Sequence, residues 1–156
     1  MKKFDLEDRV NQAVHNFESG YNCAQSVFLA YSDVFEMDLD VAKKMSVSFG
    51  GGLGRMREVC GTVSAMAMLA GFKYPVMDPQ DQEARKKNYG IVQQMAEMFK
   101  EKNETIICRN LLKSVKTDNS PAPEIRTKEY YARRPCARFV EDAARIAGKM
   151  LNGELD

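Results

Sequence analysis

Four cysteines, Cys23, Cys60, Cys108 and Cys136, are the residues of this chain best suited to do chemistry. Dozens of residues separate each from the next, so there is no CxxC, no paired zinc-finger spacing and no ferredoxin-like run. Any site they share must be assembled by the fold. Thiolates are soft metal ligands and also the reactive species of disulfide exchange, so converging cysteines point to a metal centre or to thiol redox chemistry. The chain begins Met1-Lys2-Lys3-Phe4-Asp5-Leu6-Glu7, with no apolar stretch or cleavage site of a secretion signal, and 156 residues can build a core without disulfide staples. The expectation is a cytoplasmic protein with reduced thiols.

The segment from Phe49 to Gly61 runs Gly50-Gly51-Gly52-Leu53-Gly54-Arg55-Met56-Arg57-Glu58-Val59-Cys60-Gly61. Its glycines, Gly50, Gly51, Gly52, Gly54 and Gly61, permit positive φ and close approach of backbone to a bound group, which makes them candidate cofactor-binding positions. They lead directly to Cys60, where Arg55 and Arg57 would favour the thiolate; Cys60 is thus the candidate catalytic thiol if the chemistry is metal-free. A phosphate loop is the weaker reading and is set aside, because the GK[ST] ending and a preceding strand are both missing. The plain alternative is an interhelical connection in which only glycine fits, with cysteines serving as small buried apolar residues.

The elements that must position these residues read as helices throughout, and a chain of this length is about one domain at roughly 100 to 200 residues each, here residues 1–156. Helices are expected over about 5–19, from an N-cap at Asn22, from Asp38 or Asp40 to the glycines, over 56–72, from Asp78-Pro79 to about Lys102, over about 104–115, and from Pro135 onward. The segment 56–72 has no polar face after Glu58, so it should be the central helix of an all-α bundle. Cys23, Cys60 and Cys136 each fall within the first turn of an expected helix and Cys108 about one turn into its own, and each lies on an apolar face or, for Cys60, on a helix with no other face. Residues 117–127, with Ser120-Pro121-Ala122-Pro123, read as the flexible loop.

Net charge is +1, so nothing in the overall balance favours a polyanion such as nucleic acid. No uncharged run approaches the about 20 residues of a membrane span. His15 lies opposite its helix's apolar face and reads as solvated; the ten methionines, at helical spacing, read as core filler. The one locally basic patch, Arg126, Lys128, Arg133, Arg134 and Arg138 interleaved with Tyr130 and Tyr131, is more often a solvated face than a binding site. If functional, it would dock a redox partner protein near Cys136. A homodimer fits common base rates, but there is no heptad seam to specify one.

The order Gly20-Tyr21-Asn22-Cys23-Ala24-Gln25, the glycine run with Cys60-Gly61, Cys108 followed by Leu111-Leu112, and Cys136 followed by Phe139-Val140 resembles the C_GCAxxG_C_C family over residues 20–147. In the segment Cys60-Gly61-Thr62-Val63-Ser64-Ala65 the chain departs from the family pattern, with Thr62 in place of alanine and Ala65 in place of the closing glycine. The resemblance implies redox activity, with a bound metal cluster as one way of exercising it. The leading expectation is a metal centre, iron–sulfur before other ions, ligated by Cys23, Cys60, Cys108 and Cys136 for electron transfer. Beside it stand a metal-free thiol/disulfide protein acting through Cys60, and a helical scaffold whose cysteines only pack.

Overall fold

The computed structural model describes residues 1–155, and among them every regular element is helical. α1 (Leu6–Glu18) and α2 (Cys23–Ser32) form an antiparallel hairpin; α3 (Leu39–Ser46) continues as a 3-10 turn into the glycine run. α4 (Gly61–Lys73), α5 (Gln82–Asn103) and α8 (Cys136–Leu151) complete the bundle, with the short α6 (Cys108–Leu111) and α7 (Lys128–Arg133) between the last two. α8 packs on α1 and α4, α2 on α1 and α4, and α5 on α4 and α8. α4 and α8 therefore share the centre of the bundle. Along α8, Phe139, Val140, Ala143, Ala147, Met150 and Leu151 are all buried. Each Val-, Leu- or Phe-sized side chain so covered contributes about 1.5–3 kcal/mol, which makes this stripe a principal clasp of the bundle. No helix of the described residues is long and apolar enough to cross a membrane.

Several boundaries differ from the sequence expectation, each for a local reason. The central helix starts at Gly61, not at Met56, because Arg55 and Arg57 have left-handed φ of 63° and 61° and residues 58–60 run outside any helix, with Val59 committed to a bridge. Val59 pairs with Ile107 as an isolated antiparallel bridge: Cys60 N–H donates to Ile106 O (2.8 Å) and Cys108 N–H to Glu58 O (2.7 Å). This bridge also shortens the helix expected over 104–115 to the single turn of α6, since the backbone before Cys108 is committed to the pairing and Ile106 and Ile107 are β-branched. Asp81, not Asp78, caps α5, its Oδ1 accepting from Ala84 N–H at 2.9 Å. Asp78 instead closes a turn by accepting from Gln80 N–H. α7 was not foreseen; Thr127 caps it, its hydroxyl accepting from Tyr130 N–H at 3.1 Å.

Candidate functional site

All four cysteines line one cavity of about 500 Å³. Each reaches it from a helix start, Cys60 as the N-cap of α4 and the others as the first residue of α2, α6 and α8, so Cys108 stands at the beginning of its helix and not one turn in. Helix starts offer unpaired N–H groups and a positive dipole end, which favour anionic sulfur. Cys60, Cys108 and Cys136 are buried, and Cys23 is partly so.

Local sequence explains how each is held. Asn22 builds a capping box with Gln25, accepting from its N–H at 2.9 Å, and donates through Nδ2 to Val47 O at 2.8 Å. That one side chain ties the start of α2, and with it Cys23, to the approach of the glycine run. The bridge between 57–60 and 106–109 sets Cys60 and Cys108 in adjacent backbone segments. Two glycines make the approaches possible. At Gly52, with φ +71°, a Cβ would stand 2.7 Å from the Cys108 Cβ; at Gly61, a Cβ would stand 2.8 Å from Phe49 O and 3.0 Å from Ala24 N. Gly50, Gly51 and Gly54 line the same cavity.

The four sulfurs are electrically distinct. Cys136 is held below the usual thiol range, chiefly because the Cys23 thiol donates to its sulfur, with Arg134, Arg126 and Arg57 adding positive charge. Cys23 is pushed up by the same bond and by burial, so Cys136 is the member of the pair that gives up its proton first. Burial drives Cys60 up to about 11, against the contact of its sulfur with the Thr62 hydroxyl at 3.1 Å. The departure from the family pattern at residue 62 thus supplies that hydroxyl. Cys108 is raised by burial, while Arg57 Nη1, at 3.8 Å from its sulfur, opposes the rise.

The arginines expected to serve Cys60 are used elsewhere. Arg57 turns to Cys108, and its Nε donates to Asp118 O at 3.0 Å; Arg55 donates to the carbonyls of Ser120 and Ala122. Together they pin the proline loop, of which Pro121, Pro123 and Glu124 form one wall of the cavity. The basic patch divides. Arg126 and Arg134 line the cavity, whereas Lys128, Arg133 and Arg138 are exposed. Arg126 lies over the rings of Phe17, Tyr130 and Tyr131 and donates to Phe17 O and Tyr21 O. Arg134 is buried over Tyr130 and pairs with Glu124 at 2.6 Å. Sequence reading had the patch but not this division, which the cation–aromatic interleaving of residues 126–134 foreshadows. His15 is exposed, 3.4 Å from the Ser19 hydroxyl on its own helix. No methionine of the described residues lines the cavity.

A single metal ion would need thiolates about 3.8 Å apart, the edge of a tetrahedron with ~2.3 Å metal–sulfur bonds. Among the described residues no three His, Cys, Asp or Glu side chains are gathered in that way. The four thiols surround a space and do not meet at a point.

The burial of Cys60 has a measurable consequence. A thiol ionises near 8.5 in the unfolded chain, so the free energy that keeps Cys60 neutral is fully present below that pH. It is lost as pH rises toward about 11. That span of about 2.5 pH units corresponds to about 3–4 kcal/mol at most. Urea unfolding of wild type and Cys60→Ala between about pH 8 and about pH 11 should show the wild type losing the more stability across that window; parallel curves would contradict the assignment.

A family model described as "Putative redox-active protein (C_GCAxxG_C_C)" matches residues 21–150. No curated protein and no solved structure matches the chain.

Proposed function

Since the chain belongs to the C_GCAxxG_C_C family of redox-active proteins, we propose that its redox chemistry is reversible dithiol/disulfide exchange between Cys136 and Cys23. The observation that carries this reading is that both thiols open on one cavity from the first residues of α8 and α2, where each is the largest influence on the other's ionisation and three guanidiniums lie near Cys136. Cys136 is the nucleophile. Its sulfur is the one ionised most easily, whereas Cys60, buried and pushed up to about 11, is poorly suited to attack at neutral pH. The partner is a protein or small molecule carrying a disulfide. The Cys136 thiolate attacks one partner sulfur, a mixed disulfide forms and the other partner sulfur leaves as a thiolate. Cys23 then gives up its proton and attacks the Cys136 sulfur, and the second partner sulfur leaves. Two electrons pass to the partner and one S–S bond remains in the protein; the reverse sequence restores both thiols.

A second reading is favoured by one further observation, that all four thiols face the same cavity. Four thiolates are the ligand set of an iron–sulfur cluster, and Arg57, Arg126 and Arg134 would balance its negative charge. A polynuclear cluster fits donors spread around a space; a lone ion does not. Such a cluster would supply one-electron transfer, with Cys23, Cys60, Cys108 and Cys136 holding it.

Anaerobic purification followed by iron and sulfide analysis, then diamide oxidation and peptide mapping, separates the two. Exchange predicts metal-free protein that loses two thiols and yields a Cys23–Cys136 disulfide. Stoichiometric iron and sulfide with a visible absorbance band would replace it by the cluster reading, and four unchanged thiols in colourless protein would refute both.

A further inference from the structure

We propose that the cysteine cavity is a receptor for a small organic anion, whose acid group accepts a hydrogen bond from Arg134 Nε beside Cys136. It deepens the exchange reading by giving the chemical class of the molecule that reaches the thiolate, and it rests on that reading only for the role of Cys136. The first observation is a buried donor without an acceptor. Arg134 is 6% exposed and lines the cavity; its Nη2 is used by Glu124, yet its Nε has no hydrogen-bond partner. Guanidinium N–H groups are rarely left so, and an acceptor supplied by a ligand would satisfy this one.

The second observation is charge. Cysteines apart, the ionisable side chains that matter at the cavity wall are Arg55, Arg57, Arg126 and Arg134 against the single carboxylate of Glu124, which Arg133 and Arg134 already share. Arg57 and Arg126 donate to backbone carbonyls and to the Cys108 sulfur, with no carboxylate among their partners. Their charge is left for the cavity. The third observation is size and lining: about 500 Å³ exceeds what an inorganic ion needs, and Pro121, Pro123, Leu111, Leu112 and Phe139 offer an apolar wall to an organic body.

Two alkylating probes that differ in charge test this on the reduced, full-length protein. The rates of iodoacetate and iodoacetamide at Cys136 are measured by peptide mapping, and their ratio is compared with the same ratio for free cysteine. The expected result is a ratio at least about tenfold in favour of iodoacetate over that reference, as one charge-assisted contact supplies. It should fall several-fold in Arg134→Gln, the charges of Arg57 and Arg126 keeping a remainder, and stay unchanged in Arg138→Gln, an exposed neighbour that does not line the cavity. Should Arg134→Gln not fold, Arg134→Lys, which keeps the charge and lacks Nε, must lower the ratio. A wild-type ratio no higher than that of free cysteine overturns the proposal. If neither reagent touches Cys136, the exchange reading falls by itself, and melting in succinate against chloride at equal ionic strength decides the anion site. A rise that Arg134→Lys lacks upholds it, and equal melting overturns it.

Discussion

Replacing Cys136 by serine should abolish reversible oxidation and slow alkylation at pH 7, because the thiol that ionises most readily is gone. Cys23→Ala separates attack from resolution. Cys136 then remains a nucleophile, but it has lost the donor that most lowers its pKa, so the midpoint of its alkylation–pH profile moves up. The sign follows from the charge: a bond to the sulfur favours the thiolate, and its removal favours the thiol. With no second sulfur to attack, a small disulfide substrate should leave Cys23→Ala trapped as a mixed disulfide, visible as a mass adduct. A midpoint that does not move, or oxidation that survives Cys136→Ser, would show that the pair is misidentified. Cys60→Ala and Cys108→Ala are expected to keep the two-electron couple.

Gly52→Ala should be strongly destabilising. The added Cβ would stand 2.7 Å from both the Cys108 Cβ and Glu58 N, in a residue with φ +71°. Left-handed strain of about 1–2 kcal/mol adds to overpacking of about 1–3 kcal/mol, so a loss of about 2–5 kcal/mol is expected from chemical denaturation. Gly54→Ala is the comparison. Its φ is +55°, but a Cβ there meets nothing within 4 Å, so it should lose only the strain. Equal losses at the two sites would remove the case that close approach to Cys108 is what Gly52 provides. The same loop holds Leu53, Arg55 and Arg57 at φ of 61° to 65°, and such strain in non-glycine residues gathers where a site constrains the chain.

Much of this was legible in the sequence. The helical period placed α1, α2, α4 and α8 and their buried faces, the cap at Asn22 fell where composition put it, and the last helix starts one residue after the expected Pro135. Convergence of the thiols was readable as an expectation because each cysteine stood at or near a helix start on an apolar face. Which sulfur carries the charge was not. That depends on Arg57 turning to Cys108 and on Arg134 folding inward from an exposed run, and both follow from tertiary packing that no local pattern encodes. The bridge between Val59 and Ile107 escaped for the same reason: a single antiparallel pair between distant segments has no periodicity of its own. α7, at six residues, was too short to show a repeat.

The most direct test is a redox titration of the anaerobically purified protein with electrons counted. The account predicts one two-electron transition per chain that persists in Cys60→Ala and Cys108→Ala and disappears in Cys23→Ala and Cys136→Ser. A one-electron transition tied to bound iron, or one that requires Cys60, would contradict it.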